Sequence, residues 1–390
     1  MRNLADVCQI KPPKAEARRS LAETDLVSFV PMEDLGIDQK IFVPTQTRLL
    51  AEVAGSYTYF ADGDVLLAKI TPCFENGKLG IAADLSNGIG FGSSEYIVFR
   101  PDSALSKEWL YYFLSRESFR VEGAERMSGA VGHKRVAKEF IEAYPIPIPP
   151  LPEQQRIVGI LDKAFAGIAT AKANAETNLK NAHALFESHL QAVFSQRGEG
   201  WVEKRLGDVC ELFQGLCVNA KTKHLLVEKS SLPLLRIKDL RGKNSAEQFV
   251  AESGWPKNAY VTESEIIYTR TGQIGLVFRG RVGILHNNCF KVKPKPVLNN
   301  DYLFWWLQHP AFRAKITVLA SKAAQPDITH SLFKAQMIFV PPRAYQDKAV
   351  SLIDEMRVKT QRLESICLRK LTVLDELKKS LLHQAFAGEL

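Results

Sequence analysis

Two short polar stretches in this chain stand directly after apolar, β-branched runs. Asp64-Val-Leu-Leu-Ala68 is followed by Lys69 and Thr71, then by Asn76 and Lys78 around an Asn-Gly turn. Glu265-Ile-Ile-Tyr-Thr269 is followed by Arg270, Thr271 and Gln273. Amide, hydroxyl, ammonium and guanidinium groups on loops that leave rigid strands can offer hydrogen bonds from a fixed frame. Base edges in a DNA groove are read by such groups, with Arg or Lys on guanine and Asn or Gln on adenine. A second polar group follows in each half: Ser128, His133, Lys134 and Arg135 in the first, Ser321, Lys322 and Gln325 in the second. Each has a plainer use. Asn76-Gly77 can close a hairpin, Lys134 and Arg135 can flank a helix start, and Arg270 can pair with a local carboxylate.

Signatures of other chemistry are missing from the sequence. It holds no G-x-x-x-x-G-K-[ST] phosphate loop, no H-x-E…C-x-x-C site and no Asn-Pro-Pro-Tyr or Asp-Pro-Pro-Tyr string. Gly88-Ile-Gly-Phe-Gly92 lacks the G-x-G-x-x-G spacing and reads as a turn. His133, His189 and His383 have no second ligand at helical or turn spacing, so no metal site is expected. The six cysteines are scattered without a C-x-x-C pair, as small buried hydrophobes of a reducing cytoplasm would be. These readings leave the chain without a catalytic site, metal or cofactor of its own.

Composition is that of a globular protein, 46% hydrophobic and 24% charged. No apolar run reaches 18 residues, and Met1–Asp6 does not open a signal peptide, so a cytoplasmic location without membrane contact is expected. The net charge of +8 is unevenly placed. Residues 1–150 carry 17 Lys+Arg against 20 Asp+Glu, whereas residues 199–345 carry 21 against 12. The basic segment suits a polyanion, and the first segment gives no such support.

What positions the polar loops is a scaffold written twice. Leu4-Ala-Asp-Val-Cys-Gln-Ile10 recurs as Leu206-Gly-Asp-Val-Cys-Glu-Leu212. Trp109-Leu-Tyr-Tyr-Phe-Leu114 is answered by Tyr302-Leu-Phe-Trp-Trp-Leu307, and Pro145-Ile-Pro-Ile-Pro-Pro150 by Ile338-Phe-Val-Pro-Pro342. Gln154, Asp162 and Phe194 recur as Gln346, Asp354 and Phe386, each 192 residues on. Each half reads as mixed α/β, with strands at Asp64–Ala68, Glu95–Arg100 and Glu265–Thr269. The Trp109 and Tyr302 segments read as amphipathic helices whose aromatics are core.

Each half ends in a long helical pattern. From Glu153 to about Gln196, apolar residues at Ile157, Leu161, Ala164, Ile168, Ala171, Ala175, Ala182, Phe186 and Val193 advance by threes and fours, with Asn178 and His189 as polar interruptions. From Gln346 to Phe386, Ile353, Met356, Leu363, Cys367, Leu374, Leu377 and Leu381 do the same, interrupted by Thr360 and Lys370. Sustained heptads predict a coiled coil, with helices on the order of 65 Å long. The expected fold class is α+β. Two mixed α/β domains (residues 1–150 and 199–342) are separated by two long helices (151–198 and 343–390) that form an antiparallel, pseudo-two-fold coiled coil. Two different domains held this way would read two different half-sites separated by a fixed spacer.

The string Pro145-Ile-Pro-Ile-Pro-Pro-Leu-Pro-Glu-Gln-Gln-Arg-Ile157 resembles the junction of specificity (HsdS) subunits of type I restriction–modification enzymes. Asp64–Lys78, Ile266–Gly275 and Phe386-Ala-Gly-Glu-Leu390 resemble their target-recognition and terminal segments. The second junction, Pro341-Pro-Arg-Ala-Tyr-Gln346, departs from the pattern by lacking Leu-x-Glu-Gln. The resemblance implies a non-catalytic phage-defence subunit that reads an asymmetric bipartite site on double-stranded DNA. Two methyltransferase (HsdM) subunits carrying S-adenosylmethionine, and restriction (HsdR) subunits using ATP and Mg, would be its partners. Ile157, Leu161, Ile168, Phe186, Ile353, Leu363, Leu374 and Leu381 become the candidate subunit-docking residues. Other readings stay open from the residues alone: a coiled-coil scaffold whose end domains bind proteins, or an enzyme with an unfamiliar motif.

Overall fold

The structure is a computed structural model that describes residues 1–130, 132–242, 247–321 and 326–390. The chain divides into two compact units, Met1–Ala175 with Arg369–Leu390, and Glu176–Leu368.

In the first unit the Leu-x-Asp-Val-Cys motif is a short helix, Leu4–Val7, running into the strand Cys8–Ile10. Leu4 and Val7 are buried, and Asp6 accepts the Asn3 N–H to close the helix start. The strand then enters a five-stranded sheet in the order Cys8–Ile10, Tyr96–Pro101, Val65–Ala68, Leu79–Ala82 and Ile41–Phe42. Val65–Ala68 is buried at every position because both faces of its sheet are covered. Val65 and Leu67 face the core built on Trp109 and Phe113, while Leu66 and Ala68 face Phe42 and Phe60. A four-stranded sheet, in the order Gln46–Leu49, Leu26–Val30, Ile89–Gly92 and Thr58–Ala61, completes the domain. Ile89-Gly-Phe-Gly92 is thus a central strand and not a turn. A Cβ on Gly90 would lie 2.1 Å from the Phe60 ring, so close packing is what demands glycine there.

The second unit repeats the plan in register. Leu206–Val209 is the short helix, and the strands Cys210–Gln214, Cys289–Pro294, Ile266–Thr269 and Val277–Phe278 form one sheet in that order. Cys210 pairs with Pro294 as Cys8 pairs with Pro101. Its second sheet runs Leu226–Val227, Phe249–Val250, Leu232–Leu235, Gly283–Leu285 and Tyr260–Val261. Lys107–Leu114 and Asn300–Gln308 are the expected aromatic helices, with Trp109, Tyr112, Trp305 and Trp306 buried. Cys8, Cys210 and Cys289 are buried, and burial pushes their thiols up to about 12, so they stay protonated and inert.

The long helices are Leu151–Ser195 and Arg343–Ala387. No described helix is long and apolar enough to cross a membrane. Inside the first unit, Arg156 donates to the Leu390 carbonyl, Phe165 lies under Lys378, and Lys172 pairs with Asp375, so the two helix segments run antiparallel. Inside the second, His183 meets Glu364, Phe186 lies under Arg357 and Gln196 accepts from Tyr345, again antiparallel. The buried column advances in strict sevens. It runs through Gln154, Leu161, Ile168, Ala175 and Ala182 in one helix, and through Gln346, Ile353, Thr360 and Cys367 in the other. Thr360 is therefore a member of the column, 1% exposed, and not an interruption, whereas Leu363 is 48% exposed. Thr360 shares the row of Ile353 and Cys367, seven residues to either side, whereas Leu363 belongs to the other row of the heptad, which turns outward here.

The residues repeated 192 positions apart are the joints between domain and helix. The buried Gln154 amide accepts the Ser106 N–H at 2.9 Å and donates to the Ala104 and Pro149 carbonyls, each at 2.8 Å. Gln346 accepts the Asn299 N–H at 2.7 Å and donates to Val297 and Pro341 at 3.1 and 2.9 Å. Two turns on, Asp162 accepts from Tyr112, and Asp354 from the Trp305 indole at 2.8 Å. The far end of the other helix completes each seat. Phe386 lies 4.5 Å from the Trp109 ring, and Phe194 lies 5.3 Å from Tyr302.

Gln154→Leu keeps the side chain's bulk but strands one N–H and two carbonyls. A loss of about 2–3 kcal/mol from the first unit is expected, and Gln346→Leu should take the same from the second. Calorimetric unfolding measures both, and a loss below about 0.5 kcal/mol would show the amides to be dispensable.

Candidate nucleic-acid interface

In the first domain the strand Val65–Ala68 releases its chain at Lys69, and a second loop crosses it there. Ile70 bridges to Arg135, and Arg135 bridges to Ser128. The Thr71 N–H reaches the Lys134 carbonyl, and the Val136 N–H reaches the Lys69 carbonyl, both at 2.9 Å. Lys69, Thr71, Ser128, His133, Lys134 and Arg135, far apart in sequence, thus belong to one crossing. His133, Lys134 and Arg135 are exposed. Arg135 makes a forked pair with Glu95 at 2.9 and 2.7 Å. That guanidinium, and then the charge of Lys69, hold the Glu95 carboxyl below its usual range. Lys69 itself donates to the Ser94 carbonyl, and Thr71 donates to Glu75. Asn76 is exposed on the turn closed by Gly77 at φ 77°, where a Cβ would press on Arg120. Lys78 turns back to the Met32 carbonyl at 2.6 Å, away from solvent contacts of the loop.

The second domain builds the same crossing from other residues. Thr271 bridges to Asp327, and the Ile328 N–H reaches the Arg270 carbonyl at 3.0 Å. The Arg270 N–H reaches the Asn288 carbonyl as the Lys69 N–H reaches Glu95. Arg270, Asp327 and Asn288 therefore occupy the places of Lys69, Arg135 and Glu95. Arg270 makes a forked pair with Asp327, at 2.9 and 2.5 Å, and donates to Gln214. Gln273 accepts from Arg241 at 2.5 Å, and Ser321 bonds back to the Thr317 carbonyl at the end of its helix. Lys322 and Gln325 lie outside the described residues.

Glu95, Asn288 and Asp327 were not singled out from the sequence. The repeat carries a signal for two of them, since Glu95 and Asn288 both stand one residue before matched strands. Asp327 becomes visible only through the bridge to Thr271.

The intended docking residues are placed differently from one another. Ile157, Leu161, Ile168, Phe186 and Ile353 are buried in their own units, Leu374 and Leu381 are half-buried, and Leu363 is exposed. The first five are occupied by packing inside the chain, which leaves exposed apolar positions such as Leu352, Val358, Leu363, Ile366, Val373 and Leu377 facing outward.

Two histidines border the second crossing. Burial lowers His330, with the charges of Arg270 and Lys334 adding to it, and burial followed by Arg236 lowers His286. Both are held neutral in the fold, while the unfolded chain takes up their protons near pH 6.5. Their contribution to stability is complete above about pH 6.5 and is lost as pH falls below it. The second unit's melting temperature should therefore drop between about pH 7 and about pH 5.5. The double variant His286→Gln/His330→Gln should reduce that drop, leaving the part due to His309, which burial also lowers, and an unchanged pH profile would refute the assignment.

The DNA specificity domain model of type I restriction modification matches residues 1–180 and 198–366. Over 161 residues the chain is 40% identical to the Escherichia coli type I restriction enzyme EcoEI specificity subunit, covering 41% of this chain and 26% of that protein. Over 133 residues it is 41% identical to the EcoAI specificity subunit of the same organism, covering 34% and 23%. The matched stretches thus span about a quarter of those relatives. A structure described for complex assembly of the type I R-M system superposes with a TM-score of 0.83 at 18% identity, covering 100% of this chain and 97% of that one. The HsdS subunit of Thermoanaerobacter tengcongensis superposes at 0.64 and 18%, covering 100% and 96%.

Proposed function

This chain belongs to the type I restriction modification DNA specificity family, and on that premise we propose that it reads an asymmetric, bipartite DNA target through its two domains. The observation that carries the reading is the pair of crossings. One backbone arrangement is built twice, with Lys69, Glu95 and Arg135 in one copy and Arg270, Asn288 and Asp327 in the other. Equal frames with unlike donors and acceptors suit two unlike half-sites, because base recognition depends on which polar group is presented at a fixed place. Arg135 is the base-reading candidate of the first domain, with Glu95 fixing its fork. Thr71, Lys134 and His133 flank it, and Arg270, Thr271 and Gln273 take those roles in the second.

In this reading the subunit performs no chemistry. Methyltransferase (HsdM) subunits with S-adenosylmethionine dock on the outward apolar positions of the long helices, and restriction (HsdR) subunits with ATP and Mg join the assembly. Leu363 is the one expected docking residue that stands fully outward. Leu363→Asp should cut copurification of the methyltransferase subunits by about tenfold, a hot-spot loss, with an unchanged melting temperature. Full retention would move docking elsewhere.

The function is tested by mapping N6-methyladenine genome-wide with the gene intact and deleted. Loss of methylation at one bipartite motif is expected. Methylation unchanged at every motif would remove the DNA-reading assignment.

A further inference from the structure

Charge presents a difficulty in the first domain, whose residues 1–150 hold fewer cations than anions, although cations on phosphates supply most affinity for duplex DNA. Its lysines are not evenly spread. A cleft of about 280 Å³ has a mainly apolar wall that includes Ile10, Tyr57 and Ile97, and its charged lining residues are Lys11, Lys14, Lys69 and Lys138, with no carboxylate among them. Carboxylates beside it have partners of their own: Glu16 is held by Arg100 and Tyr59, Glu95 by Arg135, and Glu142 by an exposed i,i+4 pair with Lys138 itself. Lys14 donates to the Gly55 carbonyl at 2.7 Å, and its pKa is lowered by burial and then by the charges of Lys11 and Arg18. Lys11 holds a left-handed backbone, φ 58°, a conformation that L-residues other than Asn and Asp seldom adopt.

The cleft is continuous with the crossing. Lys69 lines it from the strand exit, and Val136, which also lines it, directly follows Arg135 and bonds to Lys69. Lys138 stands two residues further on. Lysine is a compact charge on a flexible stem, suited to phosphate contacts that need no forked geometry. We infer that this cleft is the phosphate-holding surface of the first domain, with Lys11, Lys14 and Lys138 gripping the backbone of the duplex whose bases the neighbouring crossing addresses. The inference rests on the DNA-reading proposal and adds residues that set position and not sequence. It also resolves the charge difficulty, since a net acidic domain needs only one segregated basic surface.

The test is salt-dependent binding of the full chain, with the methyltransferase subunits it copurifies with, to the duplex found by methylation mapping and to an unrelated duplex. Neutralising Lys11→Gln, Lys14→Gln and Lys138→Gln together should lower the slope of log affinity against log salt by about 2 to 3, at about 0.9 per phosphate contact. Affinity for both duplexes should fall by the same factor, so that their ratio is kept. The corresponding Lys→Arg triple should restore the slope. If the Gln triple melts early, the exposed single variants Lys11→Gln and Lys138→Gln should each lower the slope by about 0.9. An unchanged slope in a complex that still prefers its target overturns the cleft and leaves DNA reading intact. A wild-type complex that prefers neither duplex overturns both.

Discussion

One buried amide in each domain fixes where its long helix seats. A proline-rich junction cannot satisfy its own carbonyls with a regular ladder, because prolines contribute no N–H. Gln154 and Gln346 solve this from the first turn of each long helix, by offering one acceptor and two donors where the loop needs the opposite. An amide taken out of water without partners is costly, so the helix has one register at which it seats. Sliding it by one residue would bury the amide unpaired and strand three backbone groups. The acceptor of the next two turns, Asp162 or Asp354, and the aromatic ring at the far end of the other helix then find their partners at set heights.

With the seat settled, the strands carry the polar loops to the same place in both domains. The first strand exit is crossed by a second loop in each, and the crossing is closed by a forked pair between an arginine and a carboxylate. What differs is which position supplies the cation. In the first domain it is the crossing loop, in the second the strand exit. Backbone hydrogen bonds hold the frame regardless of side chain, which leaves these positions free to diverge without loss of fold.

The long helices divide their surface in two. A narrow column in strict sevens, one position of each heptad, is consumed inside the chain. The outward apolar residues of the second helix, among them Leu363 and Ile366, contribute nothing to that column. Apolar side chains left outward along one element are a common mark of a surface that meets another protein.

Much of the architecture was legible in the residues. The duplicated order of parts, the helix ends within a few residues, the buried aromatics of Trp109 and Trp305, and the strand before Lys69 all follow from periodicity and turn chemistry, which act between neighbours in sequence. The resemblance at the proline-rich junction pointed to the family that the comparisons bear out. Other features were decided only by contacts between distant segments. Ile89–Gly92 is a strand because Phe60 and Val30 close over its glycines. Thr360 is buried and Leu363 exposed because the partner helix chooses the column. Arg135 is aimed by Glu95, 40 residues away, and Arg270 by Asp327, 57 residues away. Local patterns are set by bonds and spacing along the chain. Which polar group faces which is set by the folded approach of strands and loops, and spacing along the chain does not carry that information.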